Sequence, residues 1–117
     1  MTISTNLSGY WRRYDGDNVE LQRRLSESVT VTEYSGNKIA IAAGSSNISL
    51  RPQGLSKITA FYIETDGKIN VQLTGDMNAS INIHSTGILA FVNSSLNDIK
   101  LSNQCATVRN VFFDLSG

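Results

Sequence analysis

The chain of 117 residues has only one cysteine, one proline, one histidine and one tryptophan. A single cysteine excludes an internal disulfide framework and a cysteine-rich metal site, and it predicts a reducing setting such as the cytoplasm. Charged residues make up 17% of the chain, below the roughly 25% of an ordinary globular protein. The formal net charge is zero, so the composition gives no electrostatic reason to expect a nucleic-acid partner.

Long apolar runs are also missing. None approaches the roughly 20 residues that a membrane-spanning helix needs, and the segment MTISTNLSGY has neither a basic stretch nor an apolar core. We therefore expect no signal peptide and no membrane partner.

What the sequence does contain is a series of short β-branched and apolar runs separated by Gly, Asn, Asp and Ser clusters, among them VTVTEY, KIAIA, SINIH and ILAFV. The pattern predicts an all-β fold, a single antiparallel β-sandwich (jelly-roll-like) of about 8–10 short strands. The segment NVELQRRLSESV fits a strand better than a helix, although a single helical turn over residues 20–25 remains an alternative.

The stretch FYIETDGKINVQL predicts two strands joined at an Asp-Gly turn. A two-residue turn would place Phe61 opposite Gln72. A type I turn followed by a left-handed bulge at Gly67 would pair Phe61 with Val71 and Ile63 with Ile69, and we predict this register because it sets apolar side chains against one another. The expected core side chains are Phe61, Ile63, Ile69, Val71 and Leu73. The expected outward side chains are Tyr62, Glu64, Lys68, Asn70 and Gln72.

The domain organisation that we predict is an extended N-terminal arm at residues 1–9 followed by the β-sandwich domain at residues 10–117. The arm is rich in Thr, Ser and Asn, and its apolar side chains after Met1 are Ile3 and Leu7. Such a segment is too polar to add to a core, so we expect it to reach a partner.

Candidate catalytic and metal-binding groups are isolated in the sequence. His84 ends an alternating strand and is expected to be exposed, while Cys105 is expected to be buried or half-buried, and neither has a partner group nearby in the sequence. The segment YDGDNVE offers oxygen ligands at short spacing, but a calcium loop of the EF-hand type needs a 12-residue frame and flanking helices, so a plain turn between strands is preferred. We predict no catalytic residue, no metal site and no cofactor.

An aromatic and basic cluster follows the predicted arm. Trp, Tyr and Arg are enriched at interface hot spots, so this cluster is a candidate protein-binding edge or sugar-stacking platform. The alternative is that Trp11 caps the core where the arm enters it. The predicted partner-binding residues are Ile3, Leu7, Tyr10, Trp11, Arg12, Arg13 and Tyr14.

The segments NLSGYWRRYDGDNVELQ, LSKITAFYIETDGKINVQLTG and IKLSN followed by ATVRNVFFDLSG resemble small β-sandwich virion proteins of tailed bacteriophages. The resemblance covers most of the chain from residue 7 onward and carries over no catalytic residue. It implies a non-enzymatic capsid decoration (cement) protein that binds the head exterior and bridges capsid subunits. The implied partners are the major capsid protein, other virion proteins and further copies of this chain, in a virion assembled in the host cytoplasm.

Two other functions remain alternatives. The first is a neck, tail or fibre component of the virion. The second belongs to another class, a carbohydrate-binding β-sandwich module that would stack sugars on Tyr10, Trp11, Tyr14 or Tyr62.

Overall fold

The computed structural model describes residues 3–31, 34–51 and 55–117, with the Asn93 side chain left out. Within these ranges there are nine strands, and all their pairings are antiparallel. The strands are β1 Ile3–Asp15, β2 Asn18–Val31, β3 Tyr34–Ile41, β4 Ile48–Ser49, β5 Ile58–Thr65, β6 Ile69–Gly75, β7 Ala79–Ile83, β8 Gly87–Ser102 and β9 Arg109–Ser116. The predicted all-β antiparallel fold is therefore confirmed, although β1, β2 and β8 are longer than expected.

Strands β3 to β9 form one continuous hydrogen-bonded sheet that folds over at β8, and we call the two layers on either side of this fold the first and the second sheet. The first half of β8 pairs with β5 in the first sheet, of order β3-β9-β5-β8, and its second half lies between β4 and β6 in the second sheet, which ends at β7. The pairing register shifts on both sides of the crossing, next to Ile58 and next to Gly75. At the crossing the backbone of Gly75 comes so close to β8 that a Cβ there would lie 2.6 Å from the Leu96 Cα.

The core lies between the two sheets and follows the two-residue alternation of the strands. On β6, Ile69, Val71 and Leu73 are buried while the residues between them face outward. The buried core consists of Ile41, Leu50, Leu55, Ile58, Phe61, Ile63, Ile69, Val71, Leu73, Leu96, Ile99, Leu101, Val111, Phe113 and Leu115. Burying a side chain of this size contributes about 1.5–3 kcal/mol, so this layer is the main source of stability.

The predicted faces of β5 and β6 are confirmed, but the predicted pairing between them is wrong. All five expected core side chains are buried, yet β5 lies between β9 and β8, and β6 lies between β8 and β7. The alternation of side chains determines which face each residue occupies, but not which strand lies beside it. Two strands in opposite sheets alternate in the same way when both face one core, so the pattern does not identify their partners.

The connection between β5 and β6 is a turn between sheets. The Thr65 hydroxyl donates to the Gly67 carbonyl at 2.8 Å and accepts from its amide at 3.3 Å. Gly67 does not have the positive φ that the predicted bulge requires.

Strands β1 and β2 form a separate two-stranded ribbon. Its register runs from Ile3 opposite Val31 to Asp15 opposite Asn18, with one irregularity at Arg13/Tyr14. The two residues between the strands form a tight turn whose first residue, Gly16, has a φ of +61°, as a type II′ hairpin turn requires. The strand prediction for residues 18–31 is confirmed, and there is no helical turn at residues 20–25.

The segment predicted as an arm is the beginning of this ribbon. Residues 1 and 2 lie outside the described residues, and from Ile3 onward the chain is extended but paired with β2. Strand β1 continues through the predicted boundary at residues 9 and 10, where Gly9 has a φ of +143°. The arm therefore differs from the prediction in having a strand partner from its own chain.

Candidate functional site

The ribbon has a base that is anchored to the sandwich, namely residues 3–8 and 26–31. The Thr5 and Ser116 hydroxyls share a hydrogen bond of 3.0 Å, and Val31 is only 2% exposed. Strand β2 lies beside β5 and β8 of the first sheet. The base therefore covers part of the outer surface of that sheet.

Beyond the base, residues 9–25 form what we call the projecting hairpin. Most of its large apolar side chains are exposed, with Trp11 at 66% and Val19 at 51%, while Leu21 is half-buried. The radius of gyration is 15.5 Å, against about 13 Å for a compact domain of this length. Seven paired residues at about 3.3 Å each give the hairpin a reach of roughly 23 Å.

The two faces of the projecting hairpin carry different side chains. Because neighbours along a strand point to opposite faces, Trp11 with its partner Arg23 lies on one face, and Tyr10 with its partner Arg24 lies on the other. We call the first of these the Trp11 face. It continues the side of the ribbon whose base residues, including Val31, pack on the sandwich.

Side-chain contacts within the hairpin hold Arg12 and Arg13 in place. The Arg12 guanidinium lies 4.3 Å from the centre of the Tyr10 ring, and its Nε donates to the Gln22 side chain at 3.1 Å. Arg13 forms an exposed ion pair with Glu20 at 3.1 Å. Exposed pairs of this kind contribute about 0–1 kcal/mol each, so they order the hairpin surface more than they stabilise the fold.

The structure divides the predicted partner-binding residues into two groups. Ile3 and Leu7 are half-buried in the base, where they face their own sandwich. The other five, residues 10–14, are exposed on the projecting hairpin. Their role as partner contacts stays a prediction.

The pairing of β1 with β2 also brings residues into this region that the sequence analysis did not select. Val19, Arg23 and Leu25 lie directly opposite Tyr14, Trp11 and Gly9 respectively. Counting outward from the Asp-Gly turn on both strands would have given the partner of Tyr14. The irregularity at Arg13/Tyr14 shifts the partners of Trp11 and Tyr10 by one residue, and the sequence does not signal that shift.

The second surface of interest is the outer face of the first sheet, made by side chains that alternate with the core. Paired positions form rows across the sheet. The row next to the ribbon base contains Ser116, Ala60 and Val92, and a row farther from it contains Lys38, Phe112, Glu64 and Ile88. Ser116 and Ala60 are buried, whereas Phe112 is 40% and Ile88 is 63% exposed.

We call the uncovered part of this face the open half. It includes the row of Lys38, Phe112, Glu64 and Ile88 and a shallow groove of about 600 Å³ that continues to Asp66 and Asn110. The groove lies on the surface and is lined by both apolar and charged side chains.

Ionisable groups on and beside the outer face have shifted pKa values. The hydrogen bond from the Tyr62 hydroxyl to Glu64, 2.9 Å long, raises the pKa of Tyr62, and burial and the Glu64 charge raise it further. Hydrogen bonds from the Asn110 side chain and backbone, both 3.0 Å, lower the pKa of Asp66. Burial raises the pKa of Asp114.

The isolated groups singled out in the sequence lie where they were expected. His84 is exposed just after β7, and Cys105 is a half-buried free thiol whose amide donates to Asn103 Oδ1 at 3.0 Å. Among residues 3–31, 34–51 and 55–117, no three His, Cys, Asp or Glu side chains come together in a way that would hold a metal ion. The same part of the chain contains no helix long and apolar enough to cross a membrane.

The comparisons with known proteins assign no family. No protein-family model matches the chain, and no curated protein matches it. Among solved structures, the chain is similar to the cupin domain of Cnp3 from Schizosaccharomyces pombe, with a TM-score of 0.46 and 9% identity over 95% of this chain and 83% of that chain. A likeness at this level carries no argument about function. The protein is an all-β sandwich with a projecting two-stranded hairpin.

Proposed function

We propose that this protein is a non-enzymatic structural protein of a bacteriophage virion, a capsid decoration protein whose projecting hairpin holds it to neighbouring subunits. The observation that carries the proposal is the hairpin, which exposes Tyr10, Trp11, Tyr14, Val19 and Leu25 to solvent. The virion setting comes from the sequence resemblance, and the hairpin supports the bridging role.

Exposed aromatic and aliphatic side chains are costly to leave in water unless a partner covers them. Burying a large apolar side chain contributes about 1.5–3 kcal/mol, and a cluster of Trp, Tyr and Arg is the composition of an interface hot spot. The hairpin reaches roughly 23 Å beyond the base, which is far enough to contact an adjacent small domain. A bridging protein needs such an element.

The carbohydrate-binding alternative is not favoured by the arrangement of the rings. Trp11 lies on the opposite face of the ribbon from Tyr10, and Tyr14 lies on the Tyr10 side by alternation. The Tyr10 ring is also covered by the Arg12 guanidinium at 4.3 Å. The three rings therefore do not form one flat platform on which a sugar chain would stack.

The test is the occupancy of this protein on purified virions whose own copy has been deleted. We expect the wild-type protein to bind the head at a copy number that matches the capsid lattice, and Trp11→Ala to lower its occupancy at least tenfold. Tyr34→Ala is a matched control, because Tyr34 is an aromatic residue of nearly equal exposure, 65% against 66%, on the sandwich.

Three results would contradict the proposal. Absence of the protein from purified particles would remove the virion role, and a copy number that matches a tail ring would favour the neck or tail alternative. Equal occupancy of the Trp11 and Tyr34 variants would exclude the hairpin as the bridging element.

A further inference from the structure

The outer face of the first sheet is covered at one end and bare at the other. The ribbon base lies over the end that contains Ser116 and Ala60, where the Thr5–Ser116 hydrogen bond fixes it. At the other end Phe112 and Ile88 remain exposed. The same sheet face therefore already receives a β-ribbon of this sequence over half of its area.

The ribbon is likewise packed at one end and exposed at the other. Its base packs one face against the sheet, and the continuation of that face in the projecting hairpin, the Trp11 face, is largely exposed, with Leu21 half-buried. Trp11 is 66% exposed, and Leu25 also lies on this face. An apolar ribbon face and an apolar sheet face are thus both left uncovered in one molecule.

Each of the two surfaces carries charges of both signs. The projecting hairpin contains four arginines (Arg12, Arg13, Arg23 and Arg24) and three acidic residues (Asp15, Asp17 and Glu20). Arg13 is paired with Glu20, and no ion pair joins Arg23 to a described residue. The open half has Glu64 and Asp66 beside Lys38, and Asp114 follows in the next row. Arg109 lies near Asp66, whose pKa is lowered first by the Asn110 hydrogen bonds and then by the Arg109 charge. Arg23 on the hairpin and Glu64 on the sheet are opposite charges that no ion pair between described residues engages.

We propose that the projecting hairpin of one copy docks, through its Trp11 face, on the open half of the outer face of a second copy. Trp11 and Leu25 would cover Phe112 and Ile88, and the free Arg23 would meet the acidic side chain of Glu64. This inference rests on the proposed function in treating the hairpin as an assembly element, and it names a second copy of this chain as the partner.

The contact joins two different surfaces, so it is head-to-tail. Such contacts build rings when the rotation closes and chains when it does not. Each copy in the interior of an assembly therefore makes two contacts, one through its hairpin and one through its open half.

A single contact is expected to be weak. A ribbon face of roughly 23 by 10 Å covers roughly 230 Å² in projection, well below the roughly 800 Å² per partner of a stable isolated complex. The isolated protein should therefore associate only at high concentration, and a surface that already holds many copies should strengthen the contact through multiple attachment.

The test uses sedimentation velocity of the isolated protein over a concentration series, with two variants that each remove one surface. Trp11→Ser removes the hairpin contact and Phe112→Ser removes the sheet contact, and we expect each to weaken self-association at least tenfold. A one-to-one mixture of the two variants retains one intact hairpin facing one intact open half, so it should form a dimer and nothing larger. Gln72→Ala, at an exposed position on β6 of the second sheet, should associate like the wild type.

A charge exchange provides a second measurement. Arg23→Glu and Glu64→Arg should each weaken association, and the mixture of the two should recover it, because one contact keeps the natural charge pair and the other has its two charges exchanged. The thermal transition of each variant serves as the check that it is folded.

Three outcomes would overturn the inference. These are sedimentation of the wild type as a monomer at every concentration, association of the Phe112 variant as strong as that of the wild type, and a mixture that remains monomeric. Because these experiments contain no virion, their failure leaves the particle occupancy experiment to decide the proposed function separately.

Discussion

Three valines on β2 become more buried from the turn to the base of the ribbon. The same substitution at each position therefore tests whether the hairpin projects from an anchored base. Val19 near the turn is 51% exposed, Val29 is half-buried, and Val31 at the base is 2% exposed. If the hairpin projects from an anchored base, truncation to alanine should cost little at Val19, more at Val29 and most at Val31.

The magnitude follows from the atoms removed. Val→Ala removes two carbon groups, each worth about 0.8 kcal/mol when fully buried, and a cavity adds to this at a packed site. We expect Val31→Ala to lower the free energy of unfolding by about 2–3 kcal/mol, and Val19→Ala to lower it by less than about 1 kcal/mol. The loss of strand propensity is common to the three sites, so the differences between them report burial.

The assay is urea denaturation followed by far-ultraviolet circular dichroism, with the thermal transition as a second measurement. At roughly 4 °C per kcal/mol for a chain of this size, Val31→Ala should lower the Tm by roughly 8–12 °C. Equal losses at the three sites would mean that the hairpin packs along its whole length, and the description of a projecting element would be refuted.

The remaining predictions concern the sandwich. Asn103→Ala should cost about 2–4 kcal/mol in urea denaturation because the buried side chain bonds three backbone groups, of Ile41, Cys105 and Thr107, whereas its exposed neighbour in Gln104→Ala should cost less than about 0.5 kcal/mol. A similar loss in both variants would contradict this. Gly75→Ala should cost about 2 kcal/mol or more, since its φ of +153° and the β8 backbone leave no room for a Cβ, and a neutral result would refute the close crossing. Burial raises the pKa of Asp114, so its ionisation opposes folding above its unfolded pKa near 3.9. Asp114→Asn should therefore be more stable than the wild type at pH 7, the advantage should disappear below about pH 4, and a stability difference that does not change with pH would contradict the assignment.

The sequence predicts faces well because alternation is a local property. Phe61, Ile63, Val71 and Leu73 were assigned to the core from their spacing alone, and all are buried. Which strands pair is not predictable from the same alternation, because β5 pairs with β8 and β9, which are distant from it in sequence. Local turn chemistry at Gly67 suggested a hairpin that tertiary packing overrides.

Only part of the candidate site is predictable from the sequence, because only part of it depends on local patterns. The aromatic residues at positions 10, 11 and 14 are recognisable by composition, and the turn at Gly16 by its Asp-Gly pair. The separation into an anchored base and an exposed hairpin depends on contacts with the first sheet, such as Thr5 with Ser116, which are 111 residues apart in sequence. No local pattern carries that information.

The measurement that tests the central claim most directly is amide hydrogen exchange of the protein alone and bound to its purified particle. If the projecting hairpin is the element that contacts neighbouring subunits, the amides of residues 10–24 should exchange quickly in the free protein, because few contacts hold them, and should become strongly protected on the particle. The amides of β6, which lie in the core sheet, should be protected in both states. Unchanged exchange in residues 10–24 on binding, with new protection confined to the sandwich, would contradict the account.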